Sequence, residues 1–134
     1  MTATPTAALA DYLDQKAQAV KDIETRAAAE LNGGQAGGQA SGQAGGQAAY
    51  QALMRQKAEL LAALADDARP LVLTLPEPRA EEADERLGLF SMSAHNSLRI
   101  GSVFYMSALL YPDDYKEGQP NTLERFAAEV RAWA

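Results

Sequence analysis

Four carboxylates lie close together in the sequence, at Glu81, Glu82, Asp84 and Glu85. Glu81 and Glu85 are four residues apart, so they share a face if this segment is helical. Carboxylates in this arrangement could bind a metal ion or exchange a proton with a substrate. A transition-metal site usually also contains imidazole or thiolate ligands, and the chain has one histidine and no cysteine. We therefore predict a solvated helix face here and no metal site.

The single histidine, His95, has serines nearby at positions 91, 93 and 97. A serine and a histidine can form a nucleophile and its general base, but such a pair is defined by geometry and not by closeness in the sequence. The Gly-x-Ser-x-Gly turn that presents a nucleophilic serine in many hydrolases is also missing. We interpret His95 as a turn or capping residue and predict no catalytic residues; a small hydrolase using His95 is the least favoured function.

Two further segments have the composition of a binding loop without its spacing. Asp113 and Asp114, followed by Glu117 and Gly118, lack the ligand spacing of an EF-hand. The glycine-rich segment 33–48 lacks the Gly-Lys-Ser/Thr that follows a phosphate-binding loop. We predict an exposed acidic loop in the first case, a tether in the second, and no cofactor.

Composition narrows the range of partners and compartments. The chain has 134 residues, the length of one domain, and a formal net charge of -6. Because nucleic-acid binding depends on clustered lysine and arginine, an acidic chain without such a cluster is not expected to bind nucleic acid. No apolar run approaches the roughly 20 residues that span a bilayer, and the first ten residues do not resemble a signal peptide. We expect no membrane association and a cytoplasmic location, either free or in a particle made in the cytoplasm.

Two stretches carry apolar residues at alternating spacings of three and four, which places them along one stripe of a helix. Thr4 and Pro5 are suited to cap and start the first helix, predicted over 1–32. Lys16 interrupts the first stripe and Lys57 the second, although a lysine stem can still cover apolar neighbours. We predict that the helices associate through the apolar members of both stripes: Leu9, Leu13, Val20, Ile23, Tyr50, Leu53, Leu60 and Leu64.

Between the stripes, residues 33–48 are tandem copies of Gly-Gly-Gln-Ala, with one serine replacing a glycine. Glycine disfavours a helix by about 1 kcal/mol relative to alanine, so we predict a flexible linker spanning roughly 20 to 24 Å. A linker of this length allows an antiparallel hairpin, a parallel return or exchange of helices between subunits. We favour the hairpin.

Residues 49–134 are predicted to be a helix followed by a small α+β region, in one domain overall. Leu71–Leu75 is bounded by prolines and predicts a strand. Residues 89–111 fit strands best but also fit a helical stripe. Asn121 with Glu124 predicts an N-terminal capping box for a last helix. The predicted fold class is therefore α+β, with a long helical hairpin or coiled-coil element, a small antiparallel sheet and a C-terminal helix; the alternative is all-α.

These patterns favour a non-enzymatic structural or assembly protein. Such a protein would associate through its amphipathic helices, with itself or with a protein partner, as a subunit of a homo-oligomer or of a larger particle such as a virion. The alternative function is an acidic inhibitor or immunity-type protein that covers a basic protein partner. Its possible partner surface comprises Glu81, Glu82, Glu85, Asp113 and Asp114.

Overall fold

The computed structural model describes residues 4–36 and 40–133, and within them it contains only helices, turns and loops. The helices are α1 (Pro5–Ala36), α2 (Ala40–Ala62), α3 (Leu64–Val72), α4 (Arg79–Ile100), α5 (Val103–Ala108) and α6 (Thr122–Ala132). The fold is all-α, so the predicted α+β class with an antiparallel sheet is wrong and the all-α alternative is the correct one. None of the described helices is both long and apolar enough to cross a membrane.

Helices α1 and α2 form an antiparallel hairpin. Leu9 and Leu13 near the start of α1 share a core with Leu61 near the end of α2, whereas Ile23 further along α1 shares a second core with Leu53. This is the hairpin favoured from the sequence. Both helices extend into the range predicted as a linker, because α1 ends at Ala36 and α2 begins at Ala40. Residues 37–39 lie outside the described residues, and the flexibility of the repeat stays a prediction.

The predicted strand Leu71–Leu75 is instead the end of α3 and the turn after it. Ala68, Val72 and Leu75 are buried at spacings of four and three, whereas Leu73 is 75% exposed. Buried residues at these spacings lie on one side of a helical turn, while a strand would bury alternate residues. Backbone hydrogen bonds from Thr74 to Leu71 and from Leu75 to Val72 continue the coiling past the end of α3.

The predicted strands of 89–111 are the C-terminal half of α4 together with α5 and its flanking turns. Helix α4 buries residues at spacings of three and four along its whole length: Ala83, Leu87, Ser91, Ala94 and Ser97. The Ser91 hydroxyl donates to the Leu61 carbonyl and accepts from the Ala65 amide, both at 3.0 Å. In a continuous helix those two backbone groups would bond to each other, so Ser91 inserts at the break between α2 and α3 and fixes α4 against it.

The predicted capping box and last helix are confirmed. The Asn121 side chain accepts from the Glu124 amide and the Glu124 side chain accepts from the Asn121 amide. Helix α6 then buries its apolar face against α1, through Leu123, Phe126, Ala127 and Val130. The segment 112–120 before it is a mostly exposed loop, as its composition predicts.

Candidate functional site

The residues predicted to mediate helix association are used inside the chain. Leu9, Leu13 and Val20 are fully buried, and Ile23, Leu53 and Leu64 are at most 9% exposed. Tyr50 and Leu60 are partly buried against the same two cores. The two stripes are therefore covered within one chain, by each other and by residues of α5 and α6, and their apolar faces are not available to a second molecule in this conformation.

Lys57 of α2 is fully buried against α1, the end of α5 and Tyr111 just beyond it. Its ammonium donates to Glu24 Oε2 at 2.9 Å and to the Ser107 carbonyl at 3.0 Å. It also lies 5.0 Å from the centre of the Tyr111 ring, and the Tyr111 hydroxyl donates to Glu24 Oε1 at 2.6 Å. This cluster, defined here as Glu24, Lys57, Ser107 and Tyr111, links the hairpin to the chain beyond α4.

The electrostatics of this cluster follow from its burial. Burial lowers the pKa of Lys57 because the charged form loses its hydration, and the nearby Glu24 carboxylate offsets part of this effect. Burial, together with Glu24, raises the pKa of Tyr111. The Lys57 ammonium has its partners within the chain and no exposed surface, so the cluster can orient helices but offers no ammonium to a dissolved substrate.

The hydrogen-bond partners of Lys57 lie 33 and 50 residues away in the chain, so the spacing of the stripe does not identify them. A lysine inside an apolar stripe signals that a carboxylate is needed nearby. Glu24 directly follows Ile23 of the first stripe and could have been nominated on that ground. The other interrupting lysine, Lys16, is half-buried, with its ammonium 5.4 Å from the centre of the Tyr12 ring.

The predicted acidic partner surface is divided between two places. Glu81 and Glu85 are exposed on α4, and Glu82 pairs with Arg79 at 2.8 Å. Arg79 in turn stacks on Trp133, just beyond the C-terminal end of α6. The other two acids of that surface, Asp113 and Asp114, are exposed in the loop that leads into the N-terminal end of α6. The two groups thus lie toward opposite ends of α6, which is about 16 Å long.

Across the described residues, no group of three or more carboxylate or imidazole side chains could hold a metal ion. His95 is exposed within α4, so its interpretation as a turn or capping residue is wrong. The neighbouring Ser91 hydroxyl is engaged with the α2 and α3 backbone, and the Ser97 hydroxyl donates to the Ala94 carbonyl at 2.7 Å. The Ser91 and Ser97 hydroxyls therefore bond to backbone groups and not to His95.

The outer surface of α4 and α5 carries large apolar side chains that are more than half exposed. This apolar face, as it is called below, comprises Leu89 (60%), Met92 (59%), Ile100 (57%), Phe104 (74%) and Tyr105 (53%). Two shallow grooves of about 290 and 360 Å³ adjoin it, and Ser93 and Leu109 line both. The sequence prediction placed these residues in strands and therefore missed that they share a helical surface.

No protein family, curated protein or solved structure matches this chain. Function has therefore to be inferred from what the chain buries and what it leaves exposed. The two features that stand out are the buried Lys57 cluster, which is internal, and the apolar face, which is accessible.

Proposed function

We propose that this chain is a non-enzymatic assembly subunit that associates with copies of itself through the apolar face. In this proposal it acts in the cytoplasm, as part of a homo-oligomer or of a larger particle such as a virion. The observation that carries the proposal is an inversion of the usual burial pattern in α4, where mostly small side chains are buried and large apolar ones are exposed. Four of its five buried residues are alanine or serine, while Leu89, Met92 and Ile100 of the same helix are more than half exposed.

This inversion is unfavourable for an isolated chain. Burying a leucine, isoleucine or methionine side chain contributes about 1.5 to 3 kcal/mol, and the monomer gains this from Leu87 but not from Leu89, Met92 and Ile100. Single exposed apolar residues are ordinary, but three large ones on one helix, Leu89, Met92 and Ile100, favour an interaction surface. Phe104 and Tyr105 extend the set, with ring centres 5.8 Å apart in an edge-to-face arrangement. An association that covers this surface accounts for the sequence of α4.

The proposed function is the one expected from the sequence, but the residues that make the contact between copies are different. The stripes of α1 and α2 were expected to associate, and a hairpin satisfies them within one chain. Even the lysine that interrupts the second stripe has its partners there. The surface left for another molecule is the outer side of α4 and α5.

The alternative, an acidic inhibitor or immunity-type protein, receives less support from the geometry. Its acids do not converge, since Glu81 and Glu85 lie on α4 while Asp113 and Asp114 precede α6. Part of the acidic charge on α4 is already paired, through Arg79 and Glu82. A single basic partner would need a wide footprint to contact both groups.

Sedimentation equilibrium over a broad concentration range tests the proposal. We expect the average mass to rise with concentration, and we expect Met92→Glu to weaken this association at least tenfold, because it places a carboxylate inside an apolar contact. Gln56→Glu is the matched control, since Gln56 is exposed on α2, outside the apolar face. A chain that stays monomeric at every concentration, or that associates equally well with Glu at position 92, contradicts the proposal.

A further inference from the structure

The outward side of α4 carries a seam with the spacing of a coiled coil. Its members recur at alternating intervals of four and three, which keeps them in line along a helix. They are Glu81, Glu85, Gly88, Met92, His95 and Arg99. All are exposed except Gly88, which is half-buried, and the space where a Cβ of Gly88 would project is open to 4 Å. Nothing in the described chain covers this seam.

Charge is distributed unevenly along the seam. Glu81 and Glu85 occupy its first half, and His95 and Arg99 its second half. The sequence contains no acidic residue between positions 86 and 112, although the chain as a whole carries 18 acids against 12 bases. Among the described residues, Glu81, Glu85 and Arg99 form no ion pair, whereas Glu82 and Arg86 beside the seam do.

An acidic first half and a basic second half make a helix complementary to itself in one orientation. A two-fold axis pairs residue i of one copy with residue j of the other, and j with i. An antiparallel copy with the axis at position 90 sets Glu81 against Arg99 and Glu85 against His95, twice each. A parallel copy would set like charges against each other, which is unfavourable.

The same axis also matches shape. It sets Gly88 of each copy opposite Met92 of the other, so that a long flexible side chain meets the position with no side chain of its own. The chain that follows α4 in one copy then lies beside the chain that precedes α4 in the other. Exposed Phe104 lies in the first of these segments and exposed Leu73 in the second.

Met92 is the large apolar member of the seam and is 59% exposed. Leu89, 60% exposed, lies three residues before Met92 on α4 and therefore borders the seam. In the antiparallel arrangement these two side chains of each copy supply the apolar part of the interface, and the charged members of the seam flank it.

We propose that a second copy of this chain packs antiparallel on α4, with Glu81 of each copy paired to Arg99 of the other. This interface rests on the proposed function, because it specifies how the self-association takes place. The Glu81 and Arg99 of one copy lie about 27 Å apart along α4. Any energetic coupling between the two positions must therefore act between molecules.

Charge reversal tests this interface with the full chain. Glu81→Arg and Arg99→Glu each turn two attractive pairs into repulsive ones, and each is expected to weaken self-association about tenfold or more. Mixing the two variants restores both pairs in a heterodimer, and so does combining both changes in one chain. Glu59→Arg and Arg55→Glu on the exposed side of α2 are the matched controls. The measurement is sedimentation equilibrium of each variant and of the mixture, with circular dichroism to verify folding.

Each outcome has a distinct meaning. Loss of association in both single variants, with recovery in the mixture, supports the antiparallel interface. If the wild-type chain associates but both reversals leave it unaffected, or if the mixture does not recover, the interface is wrong while the proposed function stands. If the wild-type chain is monomeric throughout, the proposed function fails first and the interface fails with it.

Discussion

Replacing Lys57 by methionine removes a fully buried ammonium while keeping most of the length of the side chain. The variant loses two hydrogen bonds, to Glu24 Oε2 and to the Ser107 carbonyl, and the contact with the Tyr111 ring. Removing one partner of a buried ion pair costs about 3 to 5 kcal/mol. Glu24 is 22% exposed, so its carboxylate regains some hydration. We therefore expect the free energy of unfolding to fall by about 2 to 4 kcal/mol.

Lys16→Met is the matched control, because Lys16 interrupts the first stripe as Lys57 interrupts the second. Lys16 is half-buried and its ammonium lies 5.4 Å from the Tyr12 ring centre, so its loss should cost less than about 1 kcal/mol. Urea unfolding followed by circular dichroism gives both values. A Lys57→Met variant that is no less stable than Lys16→Met would show that the buried ammonium does not hold the hairpin to the rest of the chain.

A double-mutant cycle separates the ion pair from the packing. Glu24→Gln removes the charge on the other side of the pair while keeping a hydrogen-bonding side chain. If the pair acts as described, the double variant with Lys57→Met should be more stable than the sum of the two single effects predicts, by at least about 1.5 kcal/mol. Strict additivity would refute the coupling.

The remaining predictions concern one residue each. Burial raises the pKa of Tyr111 above its unfolded value near 10. The stabilising contribution of Tyr111 is therefore complete below pH 10 and is lost as the pH rises beyond it. The free energy of unfolding of the wild type relative to Tyr111→Phe should stay level to pH 10 and then fall, by less than about 1.4 kcal/mol per pH unit because Tyr111 is partly exposed. Ser91→Ala should cost about 1 to 3 kcal/mol and speed amide exchange at the start of α3, since two backbone groups lose their partner; unchanged exchange there would contradict the bridging role. Asn121→Ala should cost about 1 kcal/mol by thermal unfolding because the capping box is lost, and Asn121→Ser should recover part of it; equal stability of the two variants would argue against capping.

The parts of the fold that depend on neighbouring residues could be predicted from the sequence. The stripe containing Leu9, Leu13 and Val20 is buried as its spacing indicates, and the Asn121 capping signature forms as written in the sequence. Both rest on contacts within a turn or two of a helix, or on a face that any packed helix must bury. A pattern that is satisfied locally needs no knowledge of the rest of the chain.

The predicted sheet failed where local patterns were ambiguous and a distant contact decided. Residues 89–111 fit both period two and a helical stripe, and many of them are small or polar. The helix is fixed by Ser91 through bonds to residues 26 and 30 positions away, which a single sequence does not register. Leu71–Leu75 was assigned as a strand because of its flanking prolines, yet Pro70 lies within α3.

The same limit applies to the site, in two different ways. The spacing predicts Lys57 only as an interruption of its stripe, because its partner Glu24 lies on the other helix. Residues 89–111 are predicted to be strands, so the sequence does not reveal that Leu89 and Ile100 are exposed on one helix. The absence of acids from 86 to 112 was visible in the sequence. Because the chain as a whole is acidic, a stretch of this length without acids differs from the rest of the sequence. This difference is the signal that could have pointed to α4.

In the proposed assembly, helix α4 holds the fold with one face and contacts the second copy with the other. Its inner face holds the fold through Ala83, Ala94 and the Ser91 bridge, and these small residues allow α2 and α3 to approach. Its outer face carries the large side chains Leu89 and Met92 and contributes little to the monomer. Substitutions on the inner face should therefore lower the free energy of unfolding, whereas polar substitutions on the outer face should leave the unfolding of the monomer almost unchanged.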